Sequence, residues 1–380
     1  MPCSASTFRV WHLCSPWLFP SSHVLVPTID HLPGRTLVVD GHEYLFCSGT
    51  SYLGMARHAA FMDLVQEGMH HYGTNYSSSR HSNLQLAVFE EAEQLLRQQT
   101  GAASALTVSS GYLAGQMAVR ALAQHGRFEY APGTHPAAWL AEHPAAMNHP
   151  ITYDTWSKDL LHRLGSTAPE PVVIVSNSLD PLHVERYDFR WTAHLPTDRP
   201  ITLLLDDSHG FGVIGQEGAG IITEIEVPRS VRLVVVSSLG KAYGIPGGVV
   251  LSDADFLTQL QRSGFFGASS PVVPAYLYAF TRAQELYAQA RQQLQANIAQ
   301  FAEAIGPLGL FDFAPGFPVF YTAVNALSSY LEKHKVLISS FAYPTPADPC
   351  ITRIVLSSLH TSADVARVAE LVRSFALGTK

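Results

Sequence analysis

The 380-residue chain is short of charge, and that shortage removes a class of partner. Only 14% of residues are charged, and 24 lysines and arginines stand against 31 aspartates and glutamates, a net charge of −7 with no basic run. A nucleic-acid backbone calls for clustered cations, so nucleic acid is not expected as a partner. Cysteine is scarce as well: Cys3, Cys14, Cys47 and Cys350 form no C-x-x-C pair. Neither a metal ribbon nor a disulfide framework is expected, and a reducing compartment, the cytoplasm, fits best. No stretch reaches the roughly 18 consecutive apolar residues that a membrane span needs. The apolar patch Trp17-Leu18-Phe19 lies among His12, Pro16 and Pro20 with no basic segment before it, which argues against a secretory leader. No G-x-S-x-G elbow is present, and this weighs against a serine hydrolase. Histidine is plentiful at 18, yet a pair such as His70-His71 cannot share one helix face, so no metal site is expected.

What is present is apolar substance: 47% of residues are hydrophobic, enough for a well-buried α/β interior, and the length fits a large domain with a smaller companion. The chain is organised around Leu203 to Gly248. Leu203–Leu205 reads as a buried strand ending at Asp206, and Leu233–Val236 as a second that delivers Ser237, Ser238 and Lys241 just past its end. In an open α/β sheet that edge is where ligands bind. A carboxylate at a strand end, His209 three positions on and one lysine beyond the next strand suit pyridoxal phosphate. Its aldehyde needs a lysine amine, its ring nitrogen an acid partner and its 3'-oxygen a hydrogen-bond partner. Gly210 to Gly215 also satisfies G-x-G-x-x-G, but Gly218 and Gly220 follow in place of a helix and no acid ends a second strand at the required distance. Lys241 is no P-loop lysine, since neither Ser nor Thr follows it.

Asp206-Asp207-Ser208-His209-Gly210 and Ser238-Leu239-Gly240-Lys241-Ala242-Tyr243-Gly244 together resemble the fold-type I pyridoxal-phosphate enzymes, and within them the class II aminotransferase and α-oxoamine synthase group. That group includes 8-amino-7-oxononanoate synthase and glycine C-acetyltransferase. The resemblance implies a three-layer α/β fold with a mostly parallel seven-stranded sheet, and a smaller α+β domain from the N- and C-terminal parts. The implied division is 1–48 for the arm and part of the small domain, 49–285 for the cofactor-binding domain and 286–380 for the C-terminal small domain.

In chain order, Thr36–Val39 and Glu43–Cys47 flank Asp40-Gly41, a hairpin signal. Ser51-Tyr52-Leu53-Gly54 resembles the family's Asn-Tyr-Leu-Gly, with Ser51 where an asparagine helps to hold the substrate carboxylate. Phe61–His71 reads as a helix stopped at Gly73, and Tyr72-Gly73-Thr74-Asn75-Tyr76-Ser77-Ser78-Ser79-Arg80 resembles a degenerate form of the family's Gly-rich loop, with Ser78 in place of its last glycine. Leu84, Val88, Ala92, Leu95 and Leu96 form a core stripe ending at Gly101. After the strand Ala105–Val108, Ser110-Gly111-Tyr112 opens a helix running to about Ala123, a suitable N-terminus for a phosphate. His135 stands where the family's stacking histidine does, and Ser178-Leu179-Asp180 resembles Ser-Met-Asp, with Pro181 in place of glycine. Ser269-Ser270 resembles a segment that reaches the neighbouring subunit's phosphate, which implies a homodimer with shared sites. Ala275 to about Ala304 reads as one long helix. Arg353 stands at the second arginine of an Arg-x-Arg, suited to a bidentate grip on a carboxylate, while Ile351 occupies the first position.

The implied catalytic set is Lys241, Asp206, His209 and His135. Ser110, Gly111, Tyr112, Ser178, Ser238, Ser269 and Ser270 complete the cofactor site, and Arg353 and Ser51 face the substrate. The reaction implied is condensation of an amino acid with an acyl thioester, commonly acyl-CoA. The alternatives are an aminotransferase on the same fold, since fold and cofactor do not fix the reaction, and a non-catalytic binding domain that kept the fold.

Overall fold

The structure is a computed structural model that describes residues 28–141, 151–343 and 348–378. Cys3, Cys14, the apolar patch at Trp17 and Pro344-Thr345-Pro346 lie outside them. The large sheet has six strands among the described residues, in the order Ser104–Val108, Gly248–Ser252, Val231–Ser238, Ile201–Asp206, Val172–Asn177, Arg127–Tyr130. The resemblance implied seven. Five of the six run parallel, and Gly248–Ser252 runs against both its neighbours.

Side chains explain the layering. Val173, Val175, Leu204, Val234, Val236 and Val250 project to one face, where they pack with Met117 and Ala118 of the helix Gly111–Ala121 and with Phe256 and Leu260 of Ala254–Gln261. Their neighbours Val172, Ile174, Leu203, Leu205, Val235 and Val249 project to the other face, against Leu160 and Leu164 of Tyr153–Ser166 and Leu277 and Phe280 of Pro274–Arg282. A strand apolar on both sides must be covered on both sides, and a three-layer unit results. All five parallel strands therefore end at one edge, at Val108, Tyr130, Asn177, Asp206 and Ser238.

The hairpin forms as expected, Thr36–Val39 against His42–Cys47, with Asp40 and Gly41 both at positive φ as a type I' turn demands. It joins the C-terminal part in a second six-stranded sheet, where His42–Cys47 lies parallel to Val336–Ala342, followed by Cys350–Val355, Val319–Thr322 and Asp312–Phe313. Arg35 donates two bonds to Asp364 at the capping box of the last helix, Ser362–Ala376, and locks the hairpin there.

Three helical expectations change. The stretch from Ala275 is two helices, Pro274–Arg282 and Gln284–Ile305, because Ala283 leaves the helical conformation. The stripe from Leu84 begins later, since its helix is Ala87–Thr100 and Leu84 is exposed before it. The helix Gly111–Ala121 stops slightly short of Ala123.

Candidate active site

At the carboxyl edge of the large sheet a cavity of about 500 Å³ is lined by Lys241, Asp206, His209, His135, Ser178 and Arg353, six residues singled out from the sequence. That volume is within the usual range for small-molecule sites. Each side chain arrives for a local reason. Asp206 ends its strand in register with Asn177 on one side and Val236 on the other. Its Oδ1 accepts the Ser208 N–H at 2.9 Å, which leaves Oδ2 directed toward His135, 3.7 Å from Nδ1. The imidazole is not ionised there: Nδ1 accepts the Ala137 N–H at 3.2 Å, and burial lowers the pKa despite the pull of Asp206.

The neighbouring Asp207 faces the other way. It is fully buried, its Oδ2 accepts the Ile221 N–H at 2.9 Å, and burial pushes its carboxyl up to about 7. A Cβ at Gly220, which has φ +78, would lie 1.9 Å from that oxygen. The glycines after Asp207 thus fold a loop around a carboxylate and do not cradle a dinucleotide.

Lys241 lies in a loop whose base is closed by the Leu239 N–H on Gly247 O at 2.9 Å. Burial lowers its pKa, with Asp206 and Asp207 opposing. Burial likewise drives His209 well below its ordinary value, and the charges of Lys241 and Arg353 add to this. Both shifts favour neutral amine and neutral imidazole, forms able to accept or relay protons.

The remaining expected residues separate into three groups. Ser110 caps the helix Gly111–Ala121, its Oγ accepting the Leu113 N–H, and Gly111 abuts Ser238: a Cβ on Gly111 would fall 2.6 Å from Ser238 Cβ, and one on Gly248 2.3 Å from Ser110 O. This bare backbone at a helix N-terminus, beside the strand end that precedes Lys241, suits a phosphate group. Tyr112 is exposed, outside the cavity lining, because the second helical residue turns its side chain away from the sheet edge. Ser51 is a correction: it is exposed, and the preceding Thr50 lines the cavity, because the turn that buries Tyr52 and Leu53 points Ser51 outward. Ser269 and Ser270 lie away from this chain's cavity, and they do not cap the next helix, whose N-cap is Val273. Arg80 is held by Glu93 at 2.5 Å and by Thr107, as an anchor for its loop.

Arg353 reaches the cavity from the small sheet. Its Nη1 donates to Pro181 O at 2.6 Å, and its buried Nε has no hydrogen-bond partner among the described residues, leaving capacity for an anion. Phe341 stands beside it, 6.0 Å from ring centre to guanidinium.

Sequence reasoning passed over Asn177, Trp139 and the role of Tyr52. Asn177 accepts the His135 N–H at 3.0 Å and donates to Gly133 O at 2.7 Å, so it builds the loop that presents His135. Its place at a strand end beside Ser178 was a usable signal. Trp139, pinned by its Nε1–H on Thr134 O, forms an apolar wall. Tyr52 meets His209 through contacts that no local pattern reveals.

The donor set fits pyridoxal phosphate: a buried lysine, a carboxylate and two neutral imidazoles share one cavity, and a backbone cradle stands beside it. Fold and site together resemble those of the fold-type I pyridoxal-phosphate enzymes. The family model for class I and II aminotransferases matches residues 191–372. The 8-amino-7-oxononanoate synthase of Pseudomonas aeruginosa (strain LESB58) is 28% identical, with 90% of this chain and 88% of that protein covered. Its counterpart in Dechloromonas aromatica (strain RCB) is 26% identical, with 90% and 92% covered. Among solved structures, serine palmitoyltransferase from S. paucimobilis superposes with a TM-score of 0.78 at 18% identity, covering 93% of this chain and 94% of that one. The 8-amino-7-oxononanoate synthase of Francisella tularensis gives 0.67 at 19% identity, covering 88% and 98%. Within the pyridoxal-phosphate enzymes the chain is similar to the α-oxoamine synthase group.

Proposed function

We propose that this protein joins an amino acid to an acyl-CoA thioester with pyridoxal phosphate as cofactor, as an α-oxoamine synthase. The observation that carries this reading is one cavity holding Lys241, Asp206, His209, His135 and Arg353 in a chain similar over nine-tenths of its length to 8-amino-7-oxononanoate synthases. When bound, pyridoxal phosphate supplies an aldehyde for an amine and a ring that draws electrons from the substrate's Cα.

The chain's own residues do the rest. Lys241 would hold the cofactor, and its amine would take the proton from the substrate's Cα, a role that burial favours by disfavouring the ammonium. Asp206, steadied by the Ser208 N–H, would keep a proton on the ring nitrogen. His135 and His209 would hold the ring, His209 as a hydrogen-bond donor, and Ser110, Gly111 and Ser238 would take the phosphate. Arg353 grips the substrate carboxylate with the edge not used by Pro181. Carbon–carbon bond formation then expels the thiol of the acyl donor, and the β-keto acid formed can lose carbon dioxide.

The test is to incubate the holoprotein with glycine, alanine or serine and an acyl-CoA, following free thiol and amino-acid consumption. Thiol release that depends on the amino acid is the expected result. The aminotransferase model over residues 191–372 favours a second reading, transamination. Release of a 2-oxo acid without thiol would establish it and end the first.

The same reading includes a cytoplasmic homodimer, in which Ser269 and Ser270 of one subunit complete the partner's phosphate site. Among the described residues no helix is long and apolar enough to cross a membrane. Mixing two inactive variants, Lys241→Ala and the Ser269→Ala/Ser270→Ala double variant, should restore activity by forming one competent site per mixed dimer. Activity no higher than either parent, with subunit exchange confirmed, would refute the shared site.

A further inference from the structure

His209 carries two ring nitrogens, and one of them is already engaged: Nδ1 lies 2.8 Å from the Tyr52 hydroxyl. Tyr52 is 1% exposed and comes from a distant part of the chain. Three contacts hold it. Its carbonyl accepts the Ser358 N–H at 2.9 Å, its own N–H donates to Thr50 O at 2.9 Å, and its ring meets the edge of Phe317 at 5.8 Å. Gly54, two residues on, is pressed against Leu359 so closely that a Cβ there would fall 2.4 Å from Leu359 Cγ. The phenol is therefore fixed by the C-terminal part of the chain and presented to a histidine of the large sheet.

The bond can run in two directions, and satisfaction of donors decides between them. If Nδ1–H donated to the phenol oxygen, the phenol's own hydrogen would be buried with no acceptor among the described residues, since His209 is the partner of that hydroxyl. If the phenol donates to Nδ1, its hydrogen is used, and the ring proton must sit on Nε2, the nitrogen left to serve the cavity that His209 lines. Both groups are neutral in this arrangement, as burial of each also requires.

We infer that Tyr52 is a positioning residue that locks His209 in the Nε2–H tautomer and so aims one hydrogen-bond donor into the cavity. The inference rests on the proposed function only for what that donor serves, an acceptor oxygen of the bound cofactor. The tautomer itself is a property of this chain.

The test is nitrogen-15 NMR of the histidine-labelled holoprotein, with His209 assigned by its disappearance in His209→Gln. The expected spectrum shows Nδ1 as an unprotonated, hydrogen-bonded nitrogen and Nε2 as protonated. Tyr52→Phe keeps the ring and its Phe317 contact but should give a mixture of tautomers, with kcat lower by roughly tenfold or more as the donor is lost from a fraction of molecules. Phe317→Leu disturbs the packing while keeping the hydroxyl, and should leave the tautomer unchanged. A protonated Nδ1 in the wild-type protein overturns the inference. So does an unchanged tautomer in Tyr52→Phe, or equal scrambling in Phe317→Leu. Because the spectrum is read whether or not thiol is released, failure of the acyl-transfer reading and failure of this one are separate results.

Discussion

In the large sheet, Val172–Asn177 and Ile201–Asp206 are buried at every position, whereas Val336–Ala342 of the small sheet mixes buried with half-exposed residues and includes the exposed Phe341. The difference follows from covering. Helices on both faces exclude water from the large sheet, and its strand ends become fixed points from which Asp206, Asn177 and Ser238 project. The small sheet contributes Arg353 and Phe341 from a looser frame. On the proposed function, the chemistry would fall on the doubly covered sheet and the substrate contacts on the more open one.

Five substitutions would break or sharpen that contrast. The largest effect is expected at Lys241→Ala. It should abolish turnover by about 10⁴-fold or more, equivalent to about 5.4 kcal/mol at 1.36 kcal/mol per tenfold. Borohydride treatment, which should fix the cofactor to Lys241 in the wild type, should leave the variant unlabelled. Label on another peptide of the wild-type protein would mean the lysine has been misassigned.

Asp206→Asn follows: the protein should keep its cofactor and lose several kcal/mol of transition-state stabilisation, on the order of 10³-fold in rate, because an amide cannot hold a proton on the ring nitrogen. Near-normal turnover would transfer that role to another group.

The packing difference is tested at Leu204, fully buried between helix layers. Leu204→Ala should cost roughly 2–5 kcal/mol in denaturant unfolding, as core truncations do, whereas Phe341→Ala on the open sheet should cost under about 1 kcal/mol. Similar losses at both positions would erase the contrast drawn between the sheets.

The smallest effect belongs to the Arg35–Asp364 lock. Burial opposes ionisation of Asp364, yet bonds from Arg35 and Thr361 hold its carboxyl at about 2. A depressed folded value means stabilisation that is present above the ordinary carboxylate range and lost as pH falls through 3.8 toward 2. Arg35 is half exposed, so Asp364→Asn should cost no more than about 1 kcal/mol at neutral pH, and should flatten the acid limb of the stability curve. An unchanged acid limb would show that the lock carries no linkage.

Legibility in the sequence tracked how local each cause is. The strands around Asp206 and before Lys241 could be read from runs of valine and leucine, and Asp40-Gly41 announced its hairpin through the positive φ that both positions adopt. Asp206, His209 and Lys241 were legible because strand ends present side chains at known offsets. Ser51 was misplaced because one step along a turn reverses which side chain faces inward, and Thr50 took the position. Leu84 fitted a helical spacing, but nothing local marked the helix as starting only at Ala87.

By itself, then, the amino-acid order determined the doubly covered sheet, the edge at which its parallel strands end and the lysine, carboxylate and histidines that gather there, since hydrophobic period and strand-end position are properties of neighbouring residues. Only the tertiary structure decided which of two adjacent aspartates faces the cavity, that Pro181 takes one nitrogen of Arg353, and that Tyr52 meets His209. Those are contacts between segments far apart in the chain, set by how the layers close on one another, and no spacing along a single element encodes them.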